Sequence, residues 1–207
     1  MEKEFVITIG RQLGSGGRII GEKLAAKLGI AFYDKELIQI ASQESGLGKE
    51  FFEQADEKKL YNVFGGLFGL RGTIAEEPFS TYYLNNETLF KIQSDVIRKL
   101  ADKGSCLFVG RCADYVLSSH PRSLNIFVTA DLADRVRRIA EQQKLTPEKA
   151  RDYIEKADKK RAAYYNYFSS KPWGMAETYH LCVNTSWLGL DETVEFIAGF
   201  ALRRFGT

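Results

Sequence analysis

Cysteine is scarce in this chain of 207 residues: Cys106, Cys112 and Cys182, an odd number with no C-x-x-C pair. Only two histidines, His120 and His180, accompany them. Both counts argue against a disulfide framework and against a zinc site. Cys106 and Cys182 lie in apolar runs and read as core residues. No apolar stretch approaches the roughly 18 residues that a membrane-spanning helix requires. The net charge of +2 is too small to argue by itself for nucleic acid or an anionic membrane as a partner. The chain enters a strand-like run almost at once, leaving no room for a signal peptide. The expectation is a cytoplasmic protein in a reducing compartment. Internal repeats and low-complexity tracts are also missing.

What is present is ordinary for a globular chain: 44% hydrophobic and 27% charged residues, enough for a sizeable core. The length suits one domain, or one domain with an insertion.

The most informative stretch lies near the start. Phe5-Val-Ile-Thr-Ile9 is a β-branched and aromatic run that predicts a buried strand. A Gly-rich turn follows, ending in Gly14-Ser15-Gly16-Gly17-Arg18. Apolar residues at 20, 24, 25 and 28 then predict a helix from Ile19 to Leu28. Strand, Gly-rich loop and helix in that order form a phosphate cradle, because glycine permits close backbone approach and the helix N-terminus offers N–H groups and a positive dipole end. The loop departs from the P-loop pattern G-x-x-x-x-G-K-[ST]. Gly17 stands where the lysine belongs, Arg18 where the Ser or Thr belongs, and the spacing back to Gly10 is one residue too long. Arg18 would supply charge as a planar fork in place of the lysine. The alternative is a loop that merely joins a strand to a helix.

Further along, Gly29-Ile-Ala-Phe-Tyr33 predicts a short strand and Lys35 to about Ser45 a helix. Asp34 between them reads either as an N-cap or as a carboxylate meeting a ligand at a strand tip. Residues 46–80 are irregular, with glycines between apolar residues at 64–72, and read as an insertion over the site, either a mobile flap or an oligomer contact. A helix is expected from about Leu84 to Lys103, a strand at Cys106–Val109, and a short helix after Gly110-Arg111-Cys112-Ala113-Asp114. Then come a strand at Leu124–Thr129, a helix from Asp131 to about Gln143, and one opening at Thr146-Pro147 and running to about Tyr165. Residues 166–178 read as a loop, His180–Asn184 as the last strand, and Asp191 as the cap of a closing helix. Five apolar strands, each followed by a helix, imply an α/β fold with a parallel five-stranded sheet and helices on both faces. Ligands of such sheets bind beyond the carboxyl ends of the strands. That edge gathers the Gly-rich loop, Tyr33-Asp34, Arg111 to Asp114, and the segment after Thr129.

These residues resemble the cytidylate kinase-like proteins, a branch of the P-loop nucleoside monophosphate kinases. The likeness covers nearly the whole chain. It rests on Ile7-Thr-Ile-Gly-Arg-Gln12, Gly14-Ser-Gly-Gly-Arg18, Phe32-Tyr-Asp-Lys-Glu-Leu37, Val109-Gly-Arg111, Asp158-Lys-Lys-Arg161, and Tyr179 through Asn184. The resemblance implies a single P-loop kinase-like domain over residues 1–207, with the insertion at 46–80 and an Arg-rich helical lid at about 144–170. It implies ATP and Mg²⁺ as cofactors. Gly14, Ser15, Gly16, Gly17 and Arg18 would hold the donor phosphates, with Arg135 and Arg138 flanking the nucleotide. Tyr33, Asp34, Arg111, Asp114, Asp158 and Arg161 would face the acceptor. Arg18, Arg111 and Arg161 would act on the transferring group, since phosphoryl transfer needs in-line positioning and charge neutralisation. Asp114 is also a candidate for Mg²⁺ through water. In true cytidylate kinases an Asp follows the matching Arg directly, whereas here Cys112 and Ala113 intervene. The plainer readings are an exposed charged helix for 155–161, helix-surface charge for Arg135 and Arg138, and a helix-start carboxylate for Asp114.

The expected function is an ATP-dependent phosphotransferase acting on a nucleoside monophosphate, CMP or dCMP, or on another small acceptor. A nucleotide-binding regulatory protein with little turnover is the alternative, because the lysine is missing. The aromatic group Tyr164-Tyr165-Asn-Tyr167-Phe168 with Trp173 reads as a base clamp, as core packing, or as a nucleic-acid stacking platform, the last being the least expected. Small nucleotides are the expected partners, with a homodimer as a further option and no membrane.

Overall fold

Uninterrupted β-branched and aromatic residues favour extended chain, and apolar residues spaced three and four apart favour helix. The computed structural model describes residues 4–34, 36–45 and 79–206. In chain order its elements are β1 (Val6–Arg11), α1 (Gly17–Leu28), β2 (Ala31–Tyr33), α2 (Glu36–Ser45), α3 (Phe79–Ala101), β3 (Cys106–Val109), α4 (Ala113–Val116), β4 (Ser123–Thr129), α5 (Leu132–Gln143), α6 (Pro147–Ser169), β5 (Leu181–Asn184) and α7 (Thr185–Phe205). One compact unit takes the chain up to Asp34 and again from Arg98 onward; a second runs from Lys35 to Ile97. The insertion expected at 46–80, including the apolar and glycine run 64–72, lies outside the described residues except for the start of α3.

The first unit holds a five-stranded, all-parallel sheet in the order β2-β3-β1-β4-β5. Val6 stands opposite Cys106 on one side and Ser123 on the other. On one face Ile7, Ile9, Leu107, Val109, Leu124, Ile126 and Val128 pack with Ile20 and Leu24 of α1 and with Val194, Ile197 and Ala198 of α7. The other face carries Phe108, stacked with Tyr33, and Phe127, which meets Trp173 edge-on. Burying a Leu or Ile side chain stabilises by roughly 1.5–3 kcal/mol, so this central layer fixes where the carboxyl ends of the strands emerge. A smaller apolar seam joins α5 to α6 through Ile139, Ala150 and Ile154, and Leu13 from the Gly-rich loop packs into it.

Several boundaries differ from the sequence expectation. α6 continues to Ser169 rather than ending near Tyr165. The stretch read as loop up to 178 also contains a 3₁₀ turn at Ala176–Thr178. Cys182 is exposed rather than buried, because β5 is an edge strand. The closing helix starts at Thr185, capped by Asn184 Oδ1 accepting from Ser186 N at 2.9 Å, and not at Asp191. Asp191 instead pairs with Lys23 of α1.

α7 is broken at Gly189, whose φ of 75° and ψ of 177° belong to a region open almost only to glycine. A side chain there meets nothing within 4 Å, so only the backbone is at stake. Gly189→Ala is therefore expected to destabilise by about 1–3 kcal/mol, read as a lower urea midpoint with an unchanged m-value.

Candidate functional site

The Gly-rich loop leaves β1 at the sheet centre and turns into α1. Gly14 and Gly16 have φ values of 78° and 82°, which side-chain-bearing residues rarely adopt. A Cβ at Gly14 would lie 2.8 Å from Arg135 O, so the loop lies directly against α5. Gly16 is the N-cap of α1 and has no side chain with which to cap the helix. The N–H groups of Gly17, Arg18 and Ile19 have no intrahelical partner by helix geometry and point, with the positive dipole end, beyond the sheet edge.

Side chains from α5, α6 and α7 hold the opposite side of the loop. Arg161 Nη1 donates to Arg11 O at 3.1 Å, Arg135 Nε to Leu13 O at 2.7 Å and Arg138 Nη1 to Gly14 O at 3.0 Å. Thr185 Oγ1 donates to Ser15 O at 2.9 Å. Asp158 Oδ1 accepts from Leu13 N at 2.8 Å, and its other oxygen accepts from Arg135. Ser15 Oγ donates within the loop to Gln12 O at 2.8 Å.

A second cluster forms where three strand ends meet. Arg18 Nε donates to Asp34 Oδ2 at 2.7 Å, and Arg11 Nη2 lies 3.9 Å from Asp34 Oδ1. Burial pushes the Arg111 guanidinium down from its ordinary value, while the neighbouring Tyr164 oxygen and the Asp34 carboxylate raise it. One buried carboxylate thus stands among three arginines. Asp34, expected as a cap or as a ligand contact, is engaged by these cations. Tyr33 beside it stacks on Phe108 with ring centroids 5.2 Å apart.

The turn that carries Arg111 is unusual. Gly110, Arg111 and Cys112 have φ values of 80°, 59° and 53°, three left-handed residues in succession. For the two non-glycine residues this costs energy that the surroundings must offset. Asp114 Oδ2 accepts from Tyr165 OH at 2.6 Å, tying the turn to α6. Burial raises the Asp114 pKa, and the Tyr165 hydrogen bond opposes that shift. Burial pushes the Tyr179 phenol up, to about 12, and Tyr165 and Thr178 lie within its reach. Among the aromatic residues read as clamp, core or platform, Tyr164 and Tyr167 both pack on Phe168.

Gly14 to Arg18 with Asp34, and Arg111 with Asp114, therefore occupy the carboxyl edge of the sheet. Arg135, Arg138, Asp158 and Arg161 reach the same loop but grip its backbone. Sequence reasoning passed over Arg11, Leu13 and Thr185 as site-forming residues. The signal for Arg11 was its place at the carboxyl end of the first strand. Among the described residues no group of three or more His, Cys, Asp or Glu side chains converges as a metal site.

Two outcomes follow from this geometry. Asp158→Ala removes the acceptor of Leu13 N and strands Arg135, whose side chain is only 7% exposed. A loss of about 3–5 kcal/mol in denaturant unfolding is expected, against less than about 0.5 kcal/mol for an ordinary surface carboxylate. For Asp114, a raised folded-state pKa means that its contribution to stability is full below the unfolded-state value and is lost as pH rises through the folded one. The melting temperature of Asp114→Asn minus that of wild type should therefore increase across the acidic range and level off near neutrality, in thermal melts between about pH 4 and 8.

The sequence matches the model of the cytidylate kinase-like family over residues 6–187. No curated protein matches the chain. Among solved structures, an uncharacterized protein from Eubacterium ventriosum is 25% identical, with a TM-score of 0.72 over 96% of this chain and 98% of that one. A shikimate kinase from Bacteroides thetaiotaomicron superposes with a TM-score of 0.55 at 13% identity, over 99% of this chain and 100% of that one. Another, from Acinetobacter baumannii in complex with shikimate, gives 0.52 at 15% identity over 98% and 95%. At those identities the likeness to the two shikimate kinases is one of fold. The family match runs from β1 through the Arg111 turn and α6 to the start of α7, and on that extent the chain belongs to the cytidylate kinase-like family.

Proposed function

We propose that this protein is an ATP- and Mg²⁺-dependent phosphotransferase that moves the γ-phosphoryl group of ATP to a nucleoside monophosphate, with CMP or dCMP as the first candidates. The observation that carries the reading is the cluster of Arg11, Arg18 and Arg111 around Asp34, next to an α1 N-terminus whose N-cap is a glycine. Phosphoryl transfer asks for donors and positive charge at fixed positions between two anionic substrates.

The residues fit a polyphosphate donor. The N–H groups that open α1 would take its β- and γ-oxygens, and Gly14 and Gly16 let the backbone approach them closely. Mg²⁺ fits as an ion held mostly by phosphate oxygens and water, since Arg18 replaces the usual hydroxyl ligand. When bound, it neutralises charge on the donor phosphates. Asp114 suits direct service to that ion poorly, because burial favours its neutral form and Tyr165 occupies one of its oxygens. The same pair suits a role in holding the Arg111 turn. Arg111 then orients the acceptor phosphate or the transferring group, for which a guanidinium offers a bidentate fork.

A nucleotide-binding protein with little turnover is the second reading. It is favoured by the way Arg135, Arg138 and Arg161 are spent on loop carbonyls.

The deciding experiment is transfer from Mg-ATP across a panel of nucleoside monophosphates and small hydroxyl acceptors, shikimate included, with calorimetric nucleotide binding alongside. Phosphorylation of one pyrimidine monophosphate is expected. ATP binding with no transfer to any acceptor would favour the second reading. Arg111→Ala should lower transfer by about 10²–10³-fold while leaving the Kd for ATP within a few fold. Unchanged turnover would remove Arg111 from the mechanism.

A further inference from the structure

Gly17 occupies the position where the P-loop pattern has its lysine, and the packing around it shows why no lysine stem starts there. A Cβ at residue 17 would lie 2.6 Å from Arg11 Cβ, 3.1 Å from Arg11 Cγ and 3.3 Å from Val128 Cβ. Arg11 is the last residue of β1, so its side chain leaves the sheet at the carboxyl edge. It crosses the first residue of α1 and ends beside the next loop. There its Nη1 fills the room that a side chain at Gly110 would need. Its Nη2 faces Asp34 at 3.9 Å, and the side chain remains 22% exposed. Two glycines, one in each substrate-facing loop, thus give up their space to the same arginine.

We propose that Arg11 replaces the missing lysine as the cation that contacts the donor's phosphate chain, at the point between the α1 N-terminus and the Arg111 turn. This inference rests on the phosphotransferase reading and deepens it. Position supports it first: the three atoms nearest a Cβ at Gly110, and the two nearest a Cβ at Gly17, all belong to Arg11. Charge supports it second, because Arg11, Arg18 and Arg111 all interact with the one carboxylate of Asp34, which gathers cationic groups at this point. Arg18 is the less suitable substitute. Its Nε is committed to Asp34 at 2.7 Å and its side chain is 56% exposed. A guanidinium also spans two phosphate oxygens, where a lysine offers a point charge.

The test uses inorganic tripolyphosphate as the probe, since it has no base or sugar, together with Mg-ATP. Calorimetry on Arg11→Met should show tripolyphosphate binding weakened about tenfold or more, with Arg11→Lys losing less, and transfer to the acceptor should fall in parallel. In wild-type protein the Arg11 Nε–H resonance should shift on titration together with the amides of Gly17 and Arg18, and this holds whether or not the methionine variant folds. Unaltered tripolyphosphate affinity in a folded Arg11→Met would overturn the assignment. So would an unmoved Arg11 resonance, or a wild-type protein that does not bind tripolyphosphate. Arg11-dependent binding without transfer to any acceptor would refute the kinase reading and leave the Arg11 contact standing.

Discussion

A loop that offers its N–H groups to an anion must find partners elsewhere for its carbonyls. In this protein the partners are side chains. Arg161, Arg135, Arg138 and Thr185 take the carbonyls of residues 11, 13, 14 and 15, so four side chains from three helices hold one side of the loop. Asp158 sets this grip by accepting from Leu13 N while neutralising Arg135. A buried ion pair of this kind contributes little net energy, but it costs several kcal/mol to break on one side. Its effect is geometric. It keeps the peptide planes turned so that the donors of the α1 N-terminus face outward beyond the sheet.

On the facing side the electrostatics are reversed. Arg11, Arg18 and Arg111 converge on the single carboxylate of Asp34, and the positive end of α1 adds to the same field. The left-handed run at Gly110–Cys112 belongs to the same balance, because the strain at Arg111 and Cys112 is held by Asp114 and its bond to Tyr165. α6 therefore supports both loops, with Asp158 and Arg161 at one and Tyr165 at the other.

Much of the frame was legible in the sequence. The strands at Val6, Cys106 and Ser123 announce themselves as runs rich in β-branched and aromatic residues, and the parallel sheet follows from their alternation with helices. The Gly-rich loop between the first strand and the first helix was recognisable by its order in the chain. What stayed hidden depends on side chains meeting across long separations. Gly17 reads in the sequence as a lost lysine; only the position of Arg11 shows that the glycine makes room. The extension of α6 to Ser169 runs against the modest helix propensity of Tyr164-Tyr-Asn-Tyr-Phe168. It is supported by the Asp114 bond and by Ser169 Oγ donating to Tyr165 O at 2.6 Å. Asp191 reads in the sequence as the cap of the closing helix, whereas Asn184 caps a helical stretch that starts at Thr185 and is broken at Gly189.

The grip on the loop also orders events during synthesis. Leu13 is bound by a residue 145 positions later, and Ser15 by one 170 positions later. At roughly 5–20 residues per second, Asp158 emerges about 7–30 s after the loop it anchors. The Gly-rich loop is thus translated early and completed late, and a nascent chain carries its glycines well before it has the side chains that hold them in place.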